Sequence, residues 1–346
     1  MDYNKVFMAK WNPFSNMLKK AKKLYEEAEI FDVVEKGDLV AIKLHVGELG
    51  NPNYIRPFFV KQILDEVIKR GGKPFLTDTT TYYPEMRANG YDHHENAVAN
   101  GFGFGHFIGA DGLKGGYVVP VPTGSDLIKE IEVAGALYEA DAMIVVTHVK
   151  GHPLAGIGGA IKNLGMGGVS KKSKLAQHRL VDMELNTEKC QGCGACREAC
   201  RMQIPVIDPE KNVVVIDDPR CMRCPLCSQA CPEGVITLIG KERLCRGLAL
   251  AANTVLKTFK PNKVAFVSFA VSLSTVCDCG PVQAEMIGPD VGIFAGFSAL
   301  SVDAASFSSI DHKRLNELHK TDAWEQIRCL KELGYPGSDT PEIVTI

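Results

Sequence analysis

The sequence predicts an α/β protein: a mostly parallel sheet domain built from both ends of the chain and interrupted by a cysteine-rich insertion. Two observations carry this. Short apolar runs alternate with helical patterns on both sides of residues 186–240, the rhythm of strand–helix–strand crossovers. Within 186–240, eight of the chain's twelve cysteines recur at fixed short spacings, and the strand–helix rhythm stops. In order, Lys5–Lys10 reads as a strand and Phe14–Phe31 as a helix; Leu39–Val46 is a strand. Ile55–Arg70 reads as a helix ended by Gly71-Gly72, and Pro74–Thr79 as a strand. Asp141–Val149 is a strongly apolar strand, and Gly156–Gly167 a glycine-rich turn running into a helix. After the insertion come a helix at Arg243–Phe259, strands at Lys263–Val271 and Val291–Phe294, and a helix at Asp322–Leu333. Residues 1–185 and 241–346 are therefore expected to form one discontinuous α/β domain, with 186–240 inserted at an exposed loop.

Composition bounds the function. The 346 residues, 45% of them hydrophobic, suffice for a large core. A formal net charge of -2 argues for no nucleic-acid stripe. No segment nears the roughly 18 apolar residues of a membrane span, and MDYNKVFMAKWNPFSNMLKK lacks a signal peptide's apolar stretch. The expected setting is a reducing cytoplasm in an organism living with little oxygen.

The cysteines form two runs, Cys190-x2-Cys193-x2-Cys196-x3-Cys200 and Cys221-x2-Cys224-x2-Cys227-x3-Cys231-Pro232. This doubled spacing resembles a bacterial two-cluster ferredoxin. There, three cysteines of each run hold one cubane and the fourth crosses to the other. Carried over, the resemblance implies an inserted ferredoxin-like α+β domain with two [4Fe-4S] clusters. Cys190, Cys193, Cys196 and Cys231 would hold the first, and Cys221, Cys224, Cys227 and Cys200 the second. Zinc would take four ligands as two pairs and leave cysteines idle, and such close spacing in an intracellular chain argues against disulfides. One position departs from the pattern: Arg201, not proline, follows Cys200, and the nearest proline is Pro205.

Outside the insertion, ionisable residues gather at strand ends. In Leu39–Val46, Val40, Ile42, Leu44 and Val46 face one way and Ala41, Lys43 and His45 the other. The next strand ends in Asp78-Thr79. The strand from Asp141 runs into His148, Lys150 and His152, which share a face if the chain stays extended. Open parallel sheets bind ligands at the carboxyl ends of their strands. Lys43, His45, Asp78, His148, Lys150 and His152 are therefore the candidate catalytic residues. Singly each is more simply a satisfied side chain; together at one edge they make a site.

The stretch Gly156–Gly168 offers backbone N–H groups and a helix start to an anion, with Lys162 as countercharge. Gly158, Gly159, Lys162 and Asn163 form the candidate cofactor-binding set. The plainer alternative is a tight turn with close helix packing. No Walker A pattern is present, so ATP hydrolysis is not expected, and Gly101–Gly105 reads as a loop. Cys277 and Cys279 are candidate metal ligands beside a histidine such as His148 or His152, with two ordinary thiols in a turn as the alternative. Cys245 and Cys329 read as core residues, and His93-His94 as solvated.

Several of these motifs occur together in one family: Lys43-x-His45, Asp78-Thr79, Lys150-Gly151-His152, Gly158–Gly167 (GGAIKNLGMG), the doubled cysteine block and Cys277-Asp278-Cys279. The chain resembles, over nearly its whole length, the iron–sulfur centre proteins grouped as domain of unknown function 362. Gly296–Asp303 matches more loosely, with Phe297-Ser298 where relatives tend to carry Asp-Pro. The resemblance implies an α/β domain with clusters and leaves the reaction open.

Three functions are then weighed. In the first, the clusters relay electrons to or from a partner. Lys189, Arg197, Arg201, Arg220 and Arg223 outnumber the nearby acids Glu198 and Glu233, which suits an acidic carrier such as ferredoxin or flavodoxin. In the second, an enzyme binds a small anion through Lys43, Lys150 and Lys162 and moves protons through His45, His148, His152 or Asp78. In the third, the clusters are sensors or staples. The residues at the sheet edge favour the combined expectation: a cytoplasmic iron–sulfur redox protein, an oxidoreductase or its electron-donating component.

Overall fold

A computed structural model describes all 346 residues. At its centre lies one sheet of eight strands: β1 (Lys5–Lys10), β2 (Leu39–Leu44), β3 (Lys73–Asp78), β4 (Phe107–Gly109), β5 (Ala142–His148), β6 (Val264–Ala270), β7 (Gly292–Gly296) and β8 (Glu342–Thr345). Their order is β8-β1-β7-β6-β5-β2-β3-β4. Seven run in one direction and β7 alone is reversed. The sheet is therefore mostly parallel and uses both ends of the chain. β5 is buried along its whole length, as a strand covered on both faces must be. Val40, Ile42, Leu44, Ile144 and Val146 enter one apolar layer, and Ala41, Met143 and Val145 the other, so β2 alternates as its sequence implies.

Helices α1 (Met17–Glu27) and α2 (Pro57–Lys69) cover the first face. Asn16 caps α1 by accepting from the Lys19 N–H, and Pro57 starts α2, where a missing N–H costs nothing. Beyond β5 come α3 (Ala160–Gly167) and α4 (Lys171–His178). Later come α5 (Lys241–Leu256), α6 (Ala299–Ser308) and α7 (Trp324–Glu332); with α3 they cover the second face.

The structure departs from the sequence reading where local pattern is weak. β4 and β8 are short edge strands. Helix α6 is buried on nearly every side, so it lacks the one-sided stripe that reveals a helix. No helix separates β6 from β7, and without a crossover the chain returns antiparallel. β5 also stops at His148. Lys150–His152 turns away to pair with Gly156–Gly158 in a separate ribbon, so the three candidates there do not share one strand face.

The cysteine-rich segment folds as a small unit. Asp182–Leu185 pairs antiparallel with Ile236–Ile239 at its base, and Val206–Ile207 pairs with Val214–Val215. Each cysteine run leads into a five-residue helix, Ala195–Ala199 or Leu226–Ala230. Cys196, Val214, Cys227, Val235 and Ile236 form its apolar centre.

Helix α3 crosses α5 so closely that a Cβ at Gly165 would lie 2.4 Å from the Leu248 carbonyl oxygen. Gly165→Ala is accordingly expected to destabilise the protein by about 1–3 kcal/mol, the range for overpacking a core. Gly116→Ala, with nothing within 4 Å of its added carbon, should be near neutral. Denaturant titration of the two variants checks the contrast.

Candidate functional site

Because β2, β3, β5 and β6 are parallel, their carboxyl ends share one edge. Between that edge and the cysteine-rich unit lies a cavity of about 410 Å³. His45, Asp78, His148, Lys150 and His152 reach it from the strand ends. Gly158, Gly159, Lys162 and Asn163 reach it from the start of α3, and Cys277 and Cys279 from the loop after β6. The opposite wall contains Cys200, Cys221, Cys224 and Cys227. Lys43 lies beneath the cavity, wholly buried.

Three buried ionic groups build the floor. Lys43 Nζ lies 3.0 Å from Asp78 Oδ1 and donates to Asn163 Oδ1 at 2.7 Å. Asn163 in turn donates to the Thr147 hydroxyl at 3.0 Å and the Val146 carbonyl at 3.1 Å. Burial alone would raise the Asp78 pKa, but Lys43 holds the carboxyl well below the usual carboxylate range. A Cβ at Gly167 would fall 2.4 Å from Lys43 Nζ, which is why that position is glycine. Asp278 is 2.9 Å from both His148 Nδ1 and Lys150 Nζ, while His148 Nε2 donates to the Val271 carbonyl at 2.7 Å. Burial again opposes ionisation, and His148 and Lys150 overcome it. Arg87 pairs with Glu48 at 3.0 Å and donates to Tyr83 Oη at 2.8 Å.

Above this floor sits Cys279. The Gly47 N–H donates to His45 Nδ1 at 2.8 Å, which leaves the proton on Nε2, 3.5 Å from Cys279 Sγ. Lys162 Nζ lies 3.8 Å from the same sulfur. The neighbouring Cys277 thiol, then Lys162 and His45, hold the Cys279 thiol well below its ordinary range against the cost of burial. Cys279 and burial push Cys277 well above it. Both cysteines are half-buried and open to the cavity.

Cys190, Cys193, Cys196 and Cys231 line a second, small cavity, while Cys200 joins Cys221, Cys224 and Cys227 in the wall of the large one. Each set receives two backbone N–H···S bonds. Val214 donates to Cys190 and Val235 to Cys231, both at 3.3 Å. Ile204 donates to Cys200 at 3.4 Å and Arg223 to Cys221 at 3.5 Å. Arg201, the residue that replaces the expected proline, points across the seam. Its guanidinium lies 4.6 Å from the Tyr83 ring centre, and its Nη1 donates to the Cys279 carbonyl at 3.4 Å.

Three expectations are corrected. The start of α3 is not free for an external anion: the Asp303 carboxylate accepts from the Ala160 and Ile161 N–H groups at 2.7 and 2.9 Å, and the same carboxylate excludes a side chain at Gly159. Burial raises this carboxyl to about 7 against those two bonds. Of the two histidines proposed beside Cys277 and Cys279, His148 has both ring nitrogens engaged, His152 accepts from the Leu154 and Ala155 N–H groups through Nδ1, and the imidazole nearest Cys279 is His45. His93 is buried rather than solvated, packed on Phe107 with its centroid 4.8 Å away. Glu48, Tyr83, Arg87, Lys174 and His178, unremarked in the sequence, also belong to the site or its support. Lys174, buried and lowered to about 8, donates to Thr79, Thr80 and Val169. Only Arg201 had left a trace, as a departure from a motif.

An α/β sheet whose carboxyl edge faces a cysteine-rich unit across a basic cavity defines the class. The model described as Domain of unknown function (DUF362) matches residues 40–308, and the chain belongs to that family. A "Formate dehydrogenase iron-sulfur subunit" of Haemophilus influenzae is 32% identical over 71 residues, 18% of this chain and 22% of that protein. Among solved structures, the lactate racemase apoprotein of Thermoanaerobacterium thermosaccharolyticum aligns at 13% identity and a TM-score of 0.48, covering 89% of this chain and 57% of its own. A protein of Thermotoga maritima aligns at 12% identity and 0.45, covering 90% and 60%. The chain thus spans about a fifth of the first protein and less than two thirds of each structure. No helix is long and apolar enough to cross a membrane.

The Lys43–Asp78 pair has a testable sign. With its folded pKa depressed, Asp78 contributes stability that is complete above the ordinary carboxylate pKa of about 4 and is lost as pH falls below it. Lys43→Met should cost about 3–5 kcal/mol by stranding a buried charge. It should also remove that part of the acid dependence. Urea titrations at pH 7 and at about pH 2.5 on both proteins measure the two effects.

Proposed function

We propose that this chain is an iron–sulfur redox protein with two [4Fe-4S] clusters, passing electrons to a small anionic substrate or cofactor in the 410 Å³ cavity. The observation that carries this is the shared cavity: Cys200, Cys221, Cys224 and Cys227 face Cys279, Lys162 and His45. When bound, each cluster supplies a one-electron couple. Cys190, Cys193, Cys196 and Cys231 would hold the outer one, and the four cavity cysteines the inner one. The N–H groups of Val214, Val235, Ile204 and Arg223 stabilise negative charge on the ligating sulfurs.

The polarity of the path follows from exposure. Cys193 is exposed, and beside the outer set Lys189 and Arg197 are exposed and free of ion-pair partners, a landing place for an acidic carrier such as ferredoxin or flavodoxin. Arg220 and Arg223 are occupied by Asp218 and Asp182, and Arg201 faces inward. At the inner end, Lys162 supplies positive charge to the ligand. His45 Nε2–H, 3.5 Å from the Cys279 sulfur, is its nearest proton donor.

Anaerobic preparation should yield about eight iron and eight sulfide per chain. Stoichiometric zinc with little iron would overturn the reading. Cys231→Ser and Cys200→Ser should each perturb a different EPR signal, Cys231 that of the set begun by Cys190 and Cys200 that of the set begun by Cys221. Reduction by flavodoxin should slow steeply with added salt, and Lys189→Glu should flatten that response.

A further inference from the structure

We propose that Cys277 and Cys279 form a thiol–disulfide couple that reduces a small anionic disulfide bound in the cavity. The inference rests on the redox reading above for the electrons that restore the couple, and otherwise on this chain's own side chains.

The geometry singles out one sulfur. Cys279 Sγ faces His45 Nε2 at 3.5 Å and has Lys162 Nζ at 3.8 Å. A thiolate so held is nucleophilic at neutral pH, whereas Cys245 and Cys329 are buried, with their pKa raised, and inert. The sulfur opens on a cavity of about 410 Å³, room for a small molecule. The ion pairs on the cavity floor are internally neutralised, but Lys162 has no carboxylate partner, only the Cys279 sulfur, and loses that counter-charge once the sulfur enters a mixed disulfide. An anionic ligand is the complement of that charge. Cys277, two positions away in the chain and lining the same cavity, is the resolving thiol.

The chemistry balances. Cys279 S⁻ attacks one sulfur of the substrate R–S–S–R′; the substrate S–S bond breaks, a Cys279–S–S–R bond forms, and R′S⁻ leaves with the Cys277 proton as R′SH. Cys277 S⁻ then attacks Cys279 Sγ and expels RS⁻, leaving a Cys277–Cys279 disulfide. Two electrons from a low-potential one-electron donor and one proton return the pair to thiol and thiolate. A ring closed by cysteines two positions apart is strained and easily reduced, which suits a couple that cycles.

The test uses anaerobically prepared holoprotein and 5,5′-dithiobis(2-nitrobenzoate), a doubly anionic aromatic disulfide. The wild type should release about two equivalents of coloured thiolate in a fast phase and yield a 277–279 peptide with the mass of an internal disulfide. Cys277→Ser should release about one and trap the mixed disulfide on Cys279, and Cys279→Ser should lose the fast phase. Lys162→Met should slow the wild-type reaction about tenfold at pH 7. With each rate divided by that of the same disulfide with free cysteine, cystamine, a cationic disulfide, should be disfavoured relative to the anionic probe about tenfold. A wild type that releases one equivalent without an internal disulfide overturns the couple, and equal normalised rates for the two probes overturn the anionic substrate. Iron, sulfide and the visible cluster band are read on the same samples. Intact clusters with no Cys277–Cys279 disulfide sink this inference alone; the disulfide in a chain that binds no iron supports it and sinks the electron path.

Discussion

A lysine inside a covered sheet must be answered by a carboxylate, and Lys43 imposes that condition on the whole carboxyl edge. It is wholly buried on β2, where an unpaired charge would cost several kcal/mol. Asp78 answers from β3 and Asn163 from α3, which draws the helix down until position 167 has no room for a side chain. The same logic repeats one strand over. Asp278 is satisfied by His148 and Lys150, and that satisfaction holds the loop carrying Cys277 and Cys279 above the strand ends. The Cys279 sulfur is thus positioned by charges that never reach it.

Much of the frame is legible in the sequence because periodicity and burial agree there. β2 and β5 carry their own pattern, and the alternation in Leu39–Leu44 separates the two apolar layers. The candidates Lys43, His45, Asp78, His148 and Lys150 converge because parallel strands bring their carboxyl ends together. What escapes is what depends on a distant partner. Nothing near Asp303 indicates that it will cap α3 across 143 positions of chain, and nothing near Arg87 announces Glu48. The glycine-rich stretch contains both meanings at once. Gly158 opens on the cavity, while Gly159, Gly165 and Gly167 make room for Asp303, for α5 and for the Lys43–Asp78 pair. Spacing alone cannot separate an open glycine from a crowded one.

Arg201 shows how a departure from a motif acquires meaning. Proline at that position would only shape a turn. Arginine there stacks on Tyr83, reaches the Cys279 carbonyl and lies 3.5 Å from Glu85. The inserted unit is thereby fastened at two places: by Arg223 to the Val181 carbonyl near its base, and by Arg201 at the cavity. With both fastenings in place, Cys200 is held beside the Cys277–Cys279 loop rather than left on a tethered appendage.

The pairing of β5 with β6 has a consequence for how this molecule is made. Those neighbours, Ala142–His148 and Val264–Ala270, flank the cysteine-rich segment in sequence yet lie side by side in space. A ribosome delivers the first long before the second, with the eight cysteines of the two runs emerging in between. The nascent sheet therefore waits, one of its central strands uncovered on one side, while the cysteine-rich segment is already complete. The cavity wall is written into the chain before the floor beneath it can be sealed.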